Sequence, residues 1–345
     1  MCLWYYMKGV RISTLGQEFK FCLDTHDKEY FDRRIDAMLR TYVKTILCIF
    51  VVTAVFMLSI SLWTGIVSSE PVVIFEMEDP VGDDYGPGTY IYPTHEAFVS
   101  GLFDLTFFRV SHDIEYAYFD LTFGEVTNTW NAPEGFSHQL INIYIDTTKN
   151  AGRIDTVRKG AMVEFDKKHG WDIFIKALGW GGCTVFTAND EDESQGISDG
   201  LDAEVLPDGK TIRVKVPLPI IGQPEDNWGY YVLIGSQDAF GEDDFRPVME
   251  EAGPWTFGGG SNLEFNPNVI DLLAYEGGKF SQEKLLGSYD IDKGTLATLM
   301  PVSSRTISRG FSFFKLPFTP MIVLVVILLL IGFVVLLLIR RKRFS

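Results

Sequence analysis

The chain has 345 residues and a formal net charge of −16, with 46 Asp and Glu residues against 30 Lys and Arg residues. This excess of negative charge excludes binding to nucleic acid or anionic lipid headgroups through a basic patch, because phosphate groups would be repelled. The four cysteines form no C-x-x-C pair, which excludes the commonest zinc and thiol-redox sites.

The segment 45–69 is the first long stretch of the chain without a charged residue. A helix needs roughly 20 apolar residues to span the hydrocarbon core, so this segment is long enough to cross a bilayer. Arg40 and Lys44 precede it and acidic residues follow it, which predicts a cytoplasmic N-terminal end. Two interpretations remain open. The segment is either a signal anchor that follows a cytoplasmic segment, 1–44, or a cleaved signal peptide whose leader begins at an alternative start, Met38.

The region 70–302 is predicted to be a single domain on the outer side of the plasma membrane. It contains 40 Asp and Glu residues against 15 Lys and Arg residues, a net charge of −25. Its size fits one all-β domain, which commonly runs to about 200–250 residues. Cys183 is its only cysteine, so no disulfide can form within it and its hydrophobic core must stabilise it. Such a surface suits cations or a neutral ligand such as a sugar.

Alternating apolar and polar residues predict strands through most of this domain. In the segments 115–123, 138–146 and 210–218 the apolar residues recur at every second position, the period of a half-buried strand. Turn residues separate many such segments, which is typical of a β-sandwich or barrel, and helix is limited to a short turn within 242–252. Further strands are predicted at 72–78, 103–111, 161–166, 171–178, 184–188, 229–236, 269–274 and 286–291.

The turn after the first predicted strand, 78–88, combines acidic residues with glycine and proline. Asp79, Asp83 and Asp84 lie within it. Hard cations such as calcium are bound by several oxygens, often from Asp side chains and turn carbonyls. The sequence therefore indicates a calcium site here, and the alternative is an acidic loop that is simply solvated.

Motifs for catalysis are absent from the sequence or occur in the wrong context. The segment 196–200 reads G-x-S-x-G, but a nucleophile elbow needs a strand before it and a helix after it, whereas this segment lies in a polar acidic loop, 189–202. The histidines of the domain do not have metal-ligand spacing. We therefore expect no enzymatic activity.

Tryptophan residues are the candidate sugar-binding groups, because the apolar face of a pyranose ring stacks on a flat side chain. Most tryptophans of a sandwich belong to its core. Trp130, in NTWNAPEG, and Trp180, in GWGG, lie in loop-like contexts and are the candidates for exposed carbohydrate contacts.

The C-terminal part of the chain is predicted to anchor it. A Ser- and Arg-containing linker, 303–315, leads to the apolar segment 316–339, and a basic tail, 340–345, follows. Because basic residues remain on the cytoplasmic side, this predicts a transmembrane helix with the tail inside and the main domain extracytoplasmic.

Six runs of the region 75–302 have a pattern found in a known family. They are DPVGDDYGPGTYIYP (79–93), FDLTFFRV (103–110), NTWNAPEGFSHQLINIYID (128–146), GWG (179–181), SQD (236–238) and GGGSN…NPNVIDLL (258–273). With these runs, residues 75–302 resemble the C-terminal domain family of glucodextranase, in which the domain also occurs attached to amylolytic enzymes and on surface proteins. The resemblance implies a DOMON-like β-sandwich, related to family-nine carbohydrate-binding modules, with a non-catalytic role in carbohydrate binding and attachment at the cell surface. It also implies calcium near the start of the domain, at Asp79, Asp83, Asp84 and Asp104.

Three functions follow as expectations. The first is a membrane-anchored module that binds a glucan or an envelope polysaccharide. The second is a structural surface protein that contacts other components of the cell envelope or a surface layer. The third is a haem-binding electron carrier of the DOMON class, for which Met162, Met249 and the histidines His95, His112, His138 and His169 would have to supply axial ligands.

Overall fold

The computed structural model of the protein describes residues 25–63 and 70–303. The chain divides into two compact units, 1–69 and 70–345. Within the described residues, no helix combines the length and the apolar character that crossing a membrane requires. Of the two predicted spanning segments, the second, 316–339, lies outside the described residues together with most of the linker and the basic tail.

The described residues of the first unit, 25–63, form the helix α1 (Thr25–Trp63). It runs without interruption through Lys44, so the predicted boundary at residue 45 does not coincide with a break in secondary structure. The described side chains of this helix, from Tyr30 to Thr53, are exposed.

Strands are the main regular structure among the described residues of the second unit, 70–303. The helices among these residues, α2 (Leu218–Ile221) and α3 (Gln282–Leu286), are short, and 3-10 turns lie at Glu193–Gln195, Glu242–Asp244 and Gly278–Phe280. The strands are β1 (Val72–Glu78), β2 (Leu105–His112), β3 (Tyr116–Phe123), β4 (Gln139–Asp146), β5 (Val163–Phe165), β6 (Ile173–Leu178), β7 (Thr184–Thr187), β8 (Asp202–Val205), β9 (Thr211–Pro217), β10 (Gly229–Ser236), β11 (Val269–Leu272), β12 (Ala297–Leu299) and β13 (Val302–Ser303).

Two sheets form a β-sandwich, as the sequence predicts. The first sheet has the order β1-β2-β3-β9-β8, and the second has the order β11-β10-β4-β6-β7, with β13 also paired to β10. Alternation along β3 places Ala117, Phe119, Leu121 and Phe123 in the core between the sheets, each almost completely buried. The predicted face of this strand is therefore confirmed.

The second sheet is buried on both faces, which the alternation of β4 did not predict. Every residue of β4 is buried, including Tyr144 on the face that points away from the first sheet. The parallel pair of β5 and β12 covers that outer face and forms a second hydrophobic cluster with Tyr144, Phe165 and Leu299. The expectation of a half-buried strand at 138–146 is wrong because a third layer of chain packs against this sheet.

Three short strands and one helix also differ from the sequence interpretation. The segment 286–291 is not a strand: α3 ends at Leu286, with Gly287 at its C-cap. Strands β8, β12 and β13, each of four residues or fewer, were not predicted.

One end of the sandwich carries the long connections. Strand register places the end of β1 beside the start of β2, the start of β4 beside the end of β10, and the start of β11 beside the end of β10. The connections 79–104, 124–138, 179–183 and 237–268 therefore emerge at the same end, which we call the loop end. Val72 and Ser303 lie at the opposite end, where β1 begins and β13 finishes.

Candidate functional site

Three aspartates meet at the loop end, where the two sheets approach each other. Asp79 follows β1 directly, Asp83 lies in the turn after it, and Asp271 belongs to β11 of the other sheet. One carboxylate oxygen from each lies within 4.8 Å of the others. Asp79 and Asp271 are buried, and Asp83 is partly buried.

Hydrogen bonds hold this carboxylate cluster but leave two of its oxygens without a partner. The amide of Ala274 donates to Asp79 Oδ1 at 3.0 Å, and the amide of Leu105 donates to Asp271 Oδ2 at 2.7 Å. Among the described atoms, Asp79 Oδ2 and Asp83 Oδ1 are buried and accept no hydrogen bond. Unpaired buried oxygens of this kind are costly, so their arrangement favours a bound group that supplies positive charge.

The pKa values of the three aspartates are raised, because these buried carboxylates lack a compensating positive charge. Burial raises the pKa of Asp79 and of Asp271 well above the ordinary value, and neighbouring carboxylates raise it further. Burial, followed by the charge of Asp104, raises the pKa of Asp83 to about 7. Without a cation, carboxylates this close cannot all be ionised at low cost, because each disfavours the charge of the next.

Of the four aspartates predicted to bind a metal, the structure brings Asp79 and Asp83 into this cluster. Asp104 is buried beside it, and its Oδ1 accepts a hydrogen bond from the amide of Gly82 at 2.8 Å. Asp104 therefore shapes the turn that carries Asp83. Asp84 is not one of the three clustered residues, and its Oδ2 accepts the hydroxyl hydrogen of Tyr92.

Asp271 was not identified from the sequence. All four residues of β11 are buried, so Asp271 is a charged residue inside an apolar strand, in the run VIDLL. Aspartate is rarely buried unless it is paired or binds a metal. That exception within an apolar run was the available signal, but the sequence alone does not show which other acidic residues approach it.

The donors of the cluster fit a hard cation. Calcium takes six to eight oxygen ligands from carboxylates, backbone carbonyls and water, and tolerates irregular geometry. Asp79, Asp83 and Asp271 would supply the carboxylate oxygens. All the other charged groups that act on the pKa of these three residues are acidic, so a cation would be the compensating charge.

A group of aromatic side chains lies at the same end of the sandwich. The rings of Trp130 and Trp255 are 6.3 Å apart, and the indoles are 36% and 43% exposed. His95 stacks on Trp255 at 3.9 Å, and buried Phe98 makes edge contacts with both indoles at 6.4 Å and 6.0 Å. We call Trp130, Trp255, His95 and Phe98 the aromatic platform.

Buried polar groups hold the platform in place. Arg246 donates a hydrogen bond to the carbonyl oxygen of Trp255 at 2.8 Å, and its guanidinium carbon lies 5.6 Å from the centre of the Phe98 ring. His138 contacts Trp130 at 4.4 Å between ring centres. Burial, with the nearby charge of Arg246, lowers the pKa of His138 to about 4, so the imidazole is neutral at physiological pH. The side chains that pack against the platform, His138 and Arg246, therefore do not change their charge near neutral pH.

Trp130 was a predicted contact residue, whereas Trp255 was not. Trp180, the other predicted residue, is 43% exposed in the turn between β6 and β7. It lies at the loop end, but within the described residues it makes no ring contact with Trp130 or Trp255. The Gly- and Pro-rich context of Trp255, GPWTFGGG, resembles that of Trp180 and was the signal that could have identified it.

The remaining motifs have ordinary structural surroundings. Ser198 of the G-x-S-x-G segment is exposed in a loop whose Ile197 pairs with Val185. Of the histidines considered as haem ligands, His95 and His138 belong to the aromatic group, His169 pairs with Asp146, and His112 contacts Asp113 and Gln223. The methionines considered with them, Met162 and Met249, both line a groove described below.

Comparison with known protein families gives one match. The family model described as the C-terminal binding-module, SLH-like, of glucodextranase matches residues 74–301. This range runs from β1 to the residue before β13 and contains both the carboxylate cluster and the aromatic platform. A search of curated proteins finds no match.

Proposed function

Because the chain belongs to the family of the C-terminal, SLH-like binding module of glucodextranase, we propose that it is a non-catalytic protein that binds carbohydrate through the aromatic platform. The family description names a binding role. The surface of the loop end supports carbohydrate as the ligand.

The paired, exposed indoles of Trp130 and Trp255 are the observation that carries this proposal. The ring planes of the two indoles lie at 45° to each other, and the flat face of each matches the apolar face of a sugar ring. The packing of Phe98 and His138 beneath Trp130 limits the movement of its ring, so little entropy is lost when a ligand binds. The acidic surface favours a neutral glycan, such as a glucan or a neutral envelope polysaccharide, over an anionic one.

We further propose that the carboxylate cluster binds calcium and thereby supports the loop end. A cation bound there would link Asp79 at the end of β1 to Asp271 of the opposite sheet. The connection 79–104 also carries His95 and Phe98 of the platform, so the same link would stabilise one side of the carbohydrate site. When bound, calcium would supply charge compensation and a cross-link between the sheets.

The position of the two chain connections fits attachment to a surface. Val72 and Ser303 lie at the end of the sandwich opposite the platform, so the described domain begins and ends on the side away from it. The apolar segments 45–69 and 316–339 support a location at the plasma membrane with the main domain extracytoplasmic and the basic tail in the cytoplasm.

A second candidate is favoured by the SLH-like description of the family. In this alternative the chain is a structural protein, and the loop end contacts other proteins of the cell envelope or of a surface layer. Self-association, or copurification with envelope proteins without affinity for any glycan, would support it.

Titration of the purified full chain with α-glucans and neutral envelope polysaccharides, in calcium and in EDTA, tests the proposal. We expect saturable binding that Trp130→Ala and Trp255→Ala each weaken by about tenfold. Trp180→Ala is the matched control, because Trp180 is as exposed as Trp255 and lies at the same end, yet outside the platform. Failure of every glycan to bind, or equal effects of the three substitutions, would contradict a role for the platform.

A further inference from the structure

A groove of about 450 Å³ lies at the loop end and is bounded by an unusually exposed phenyl ring. Phe240, in the connection between β10 and β11, has a relative exposure of 101%, so the described residues cover none of it. Phe245, Pro247, Met249 and Leu263 line the apolar part of the groove. Because Phe240 adds no buried surface to the fold, its position offers apolar area to a ligand and not to the core.

The groove and the aromatic platform share one ion pair. Asp238 lines the groove, and its Oδ2 lies 2.9 Å from Arg246 Nη1. The same nitrogen of Arg246 donates to the carbonyl oxygen of Trp255 at 2.8 Å. One side chain therefore joins the wall of the groove to the backbone of a platform tryptophan.

A backbone connection joins the two features as well. The amide of Met249, in the groove, donates to the carbonyl oxygen of Phe257 at 2.8 Å, and Phe257 packs edge-on against Phe98 of the platform at 6.2 Å. The backbone of the groove wall is therefore hydrogen-bonded to the segment that packs against the platform.

The lining of the groove has the chemistry of a glycan site. It combines the ring of Phe240 with the carboxylates of Asp238 and Glu242 and the amide of Asn268. An aromatic face matches the C–H face of a sugar ring, and carboxylates and amides accept hydrogen bonds from sugar hydroxyls. The two carboxylates outnumber the single basic group of the lining, Lys159, which disfavours an anionic polymer.

We propose that a bound glycan continues from the platform into this groove, so that the ligand is an internal segment of a neutral glucan and not a single sugar or a chain end. This inference rests on the proposed carbohydrate function and specifies its ligand class. The affinity for the glycan should then rise with the number of sugar units until the glycan is long enough to reach Phe240, and remain constant beyond that length.

Calorimetric titration of the full chain with α-1,4- and α-1,6-linked gluco-oligosaccharides, from the disaccharide to the octasaccharide, tests this proposal. For Phe240→Ala we expect unchanged affinity for the disaccharide and a loss of about 3- to 10-fold for the octasaccharide. Trp255→Ala should weaken binding at every length. Ile114→Ala is the matched control, since Ile114 is 87% exposed in the turn between β2 and β3 at the opposite end.

The outcomes separate the two proposals. In one outcome Trp255→Ala weakens binding, whereas Phe240→Ala either has no effect or has the same effect at every oligosaccharide length. The groove is then not part of the glycan site, and the proposal for the platform stands. If no oligosaccharide of any length binds, both proposals are wrong. If Phe240→Ala alters only the oligomeric state measured by sedimentation, the groove binds a second copy of the chain, which also overturns the extended glycan site.

Discussion

Removing divalent cations should make the stability of the domain fall as pH rises. In the cation-free fold the pKa of Asp83 is raised from 3.8 to about 7, chiefly by burial and then by the charge of Asp104. The folded state therefore retains a proton on Asp83 that the unfolded chain has lost. The contribution of Asp83 to the free energy of unfolding is greatest below about pH 4, decreases through the interval between 3.8 and 7, and levels off above it.

The size of this effect follows from the pKa difference. A change from 3.8 to about 7 corresponds to about 4 kcal/mol if it is not screened. Because Asp83 is only partly buried, solvent screening reduces its contribution to about 2 kcal/mol. The raised pKa values of Asp79 and Asp271 act in the same direction. For a domain of this size, 2 kcal/mol corresponds to a shift of about 4–8 °C in Tm.

Calcium should offset this loss. At about a hundred times its dissociation constant it would add about 2.7 kcal/mol to the folded state, and most of this gain should appear at neutral pH, where the carboxylates are available as ligands. The assay is thermal unfolding of the full chain between pH 4 and pH 8, in calcium and in EDTA, followed by near-ultraviolet circular dichroism.

A substitution within the cluster separates its contribution from that of the remaining acidic surface. Asp83→Asn should reduce the pH dependence in EDTA, leaving the part that Asp79 and Asp271 contribute, and remove most of the response to calcium. Glu225→Gln, at an exposed position outside the cluster, should change neither. Identical pH profiles in calcium and in EDTA, or a stability in EDTA that rises from pH 4 to pH 7, would refute the assignment of the cluster as a cation site.

Three further substitutions test other parts of the structure. Arg246→Ala should weaken glycan binding severalfold, because it releases the carbonyl of Trp255 and the support of Phe98, and titration of the folded variant measures this. Lys176→Met should reduce the free energy of unfolding, measured with denaturant, by about 3–5 kcal/mol. The substitution removes the buried ammonium group that lies 2.6 Å and 2.7 Å from two carboxylates, and so leaves them without this partner. Phe119→Ala should cost about 3–5 kcal/mol in the same assay, since its ring is completely buried between the sheets; a loss below about 1 kcal/mol would mean that this core tolerates a cavity.

The main strands of the sandwich could be predicted from local alternation. Strands β1 and β10 have the predicted bounds, and the buried face of β3 is the predicted one. Alternation could not show that the outer face of β4 is covered, because the residues that cover it, in β5 and β12, are distant along the chain. The apolar residues around 286 were consistent with a strand or a helix. In the structure they belong to the helix α3, which packs against β12.

Local residue patterns were enough to predict the all-β fold class, the acidic turn at 78–88 and the resemblance to a binding-module family that the family comparison shows. They also made Asp79, Asp83 and Trp130 candidates, because local composition marks their surroundings. The packed fold was needed to place Asp271 beside the first two residues and Trp255 beside the third. Those contacts join connections and strands from opposite sheets, and the packing and register of the sheets set such distances, so no local pattern of residues encodes them.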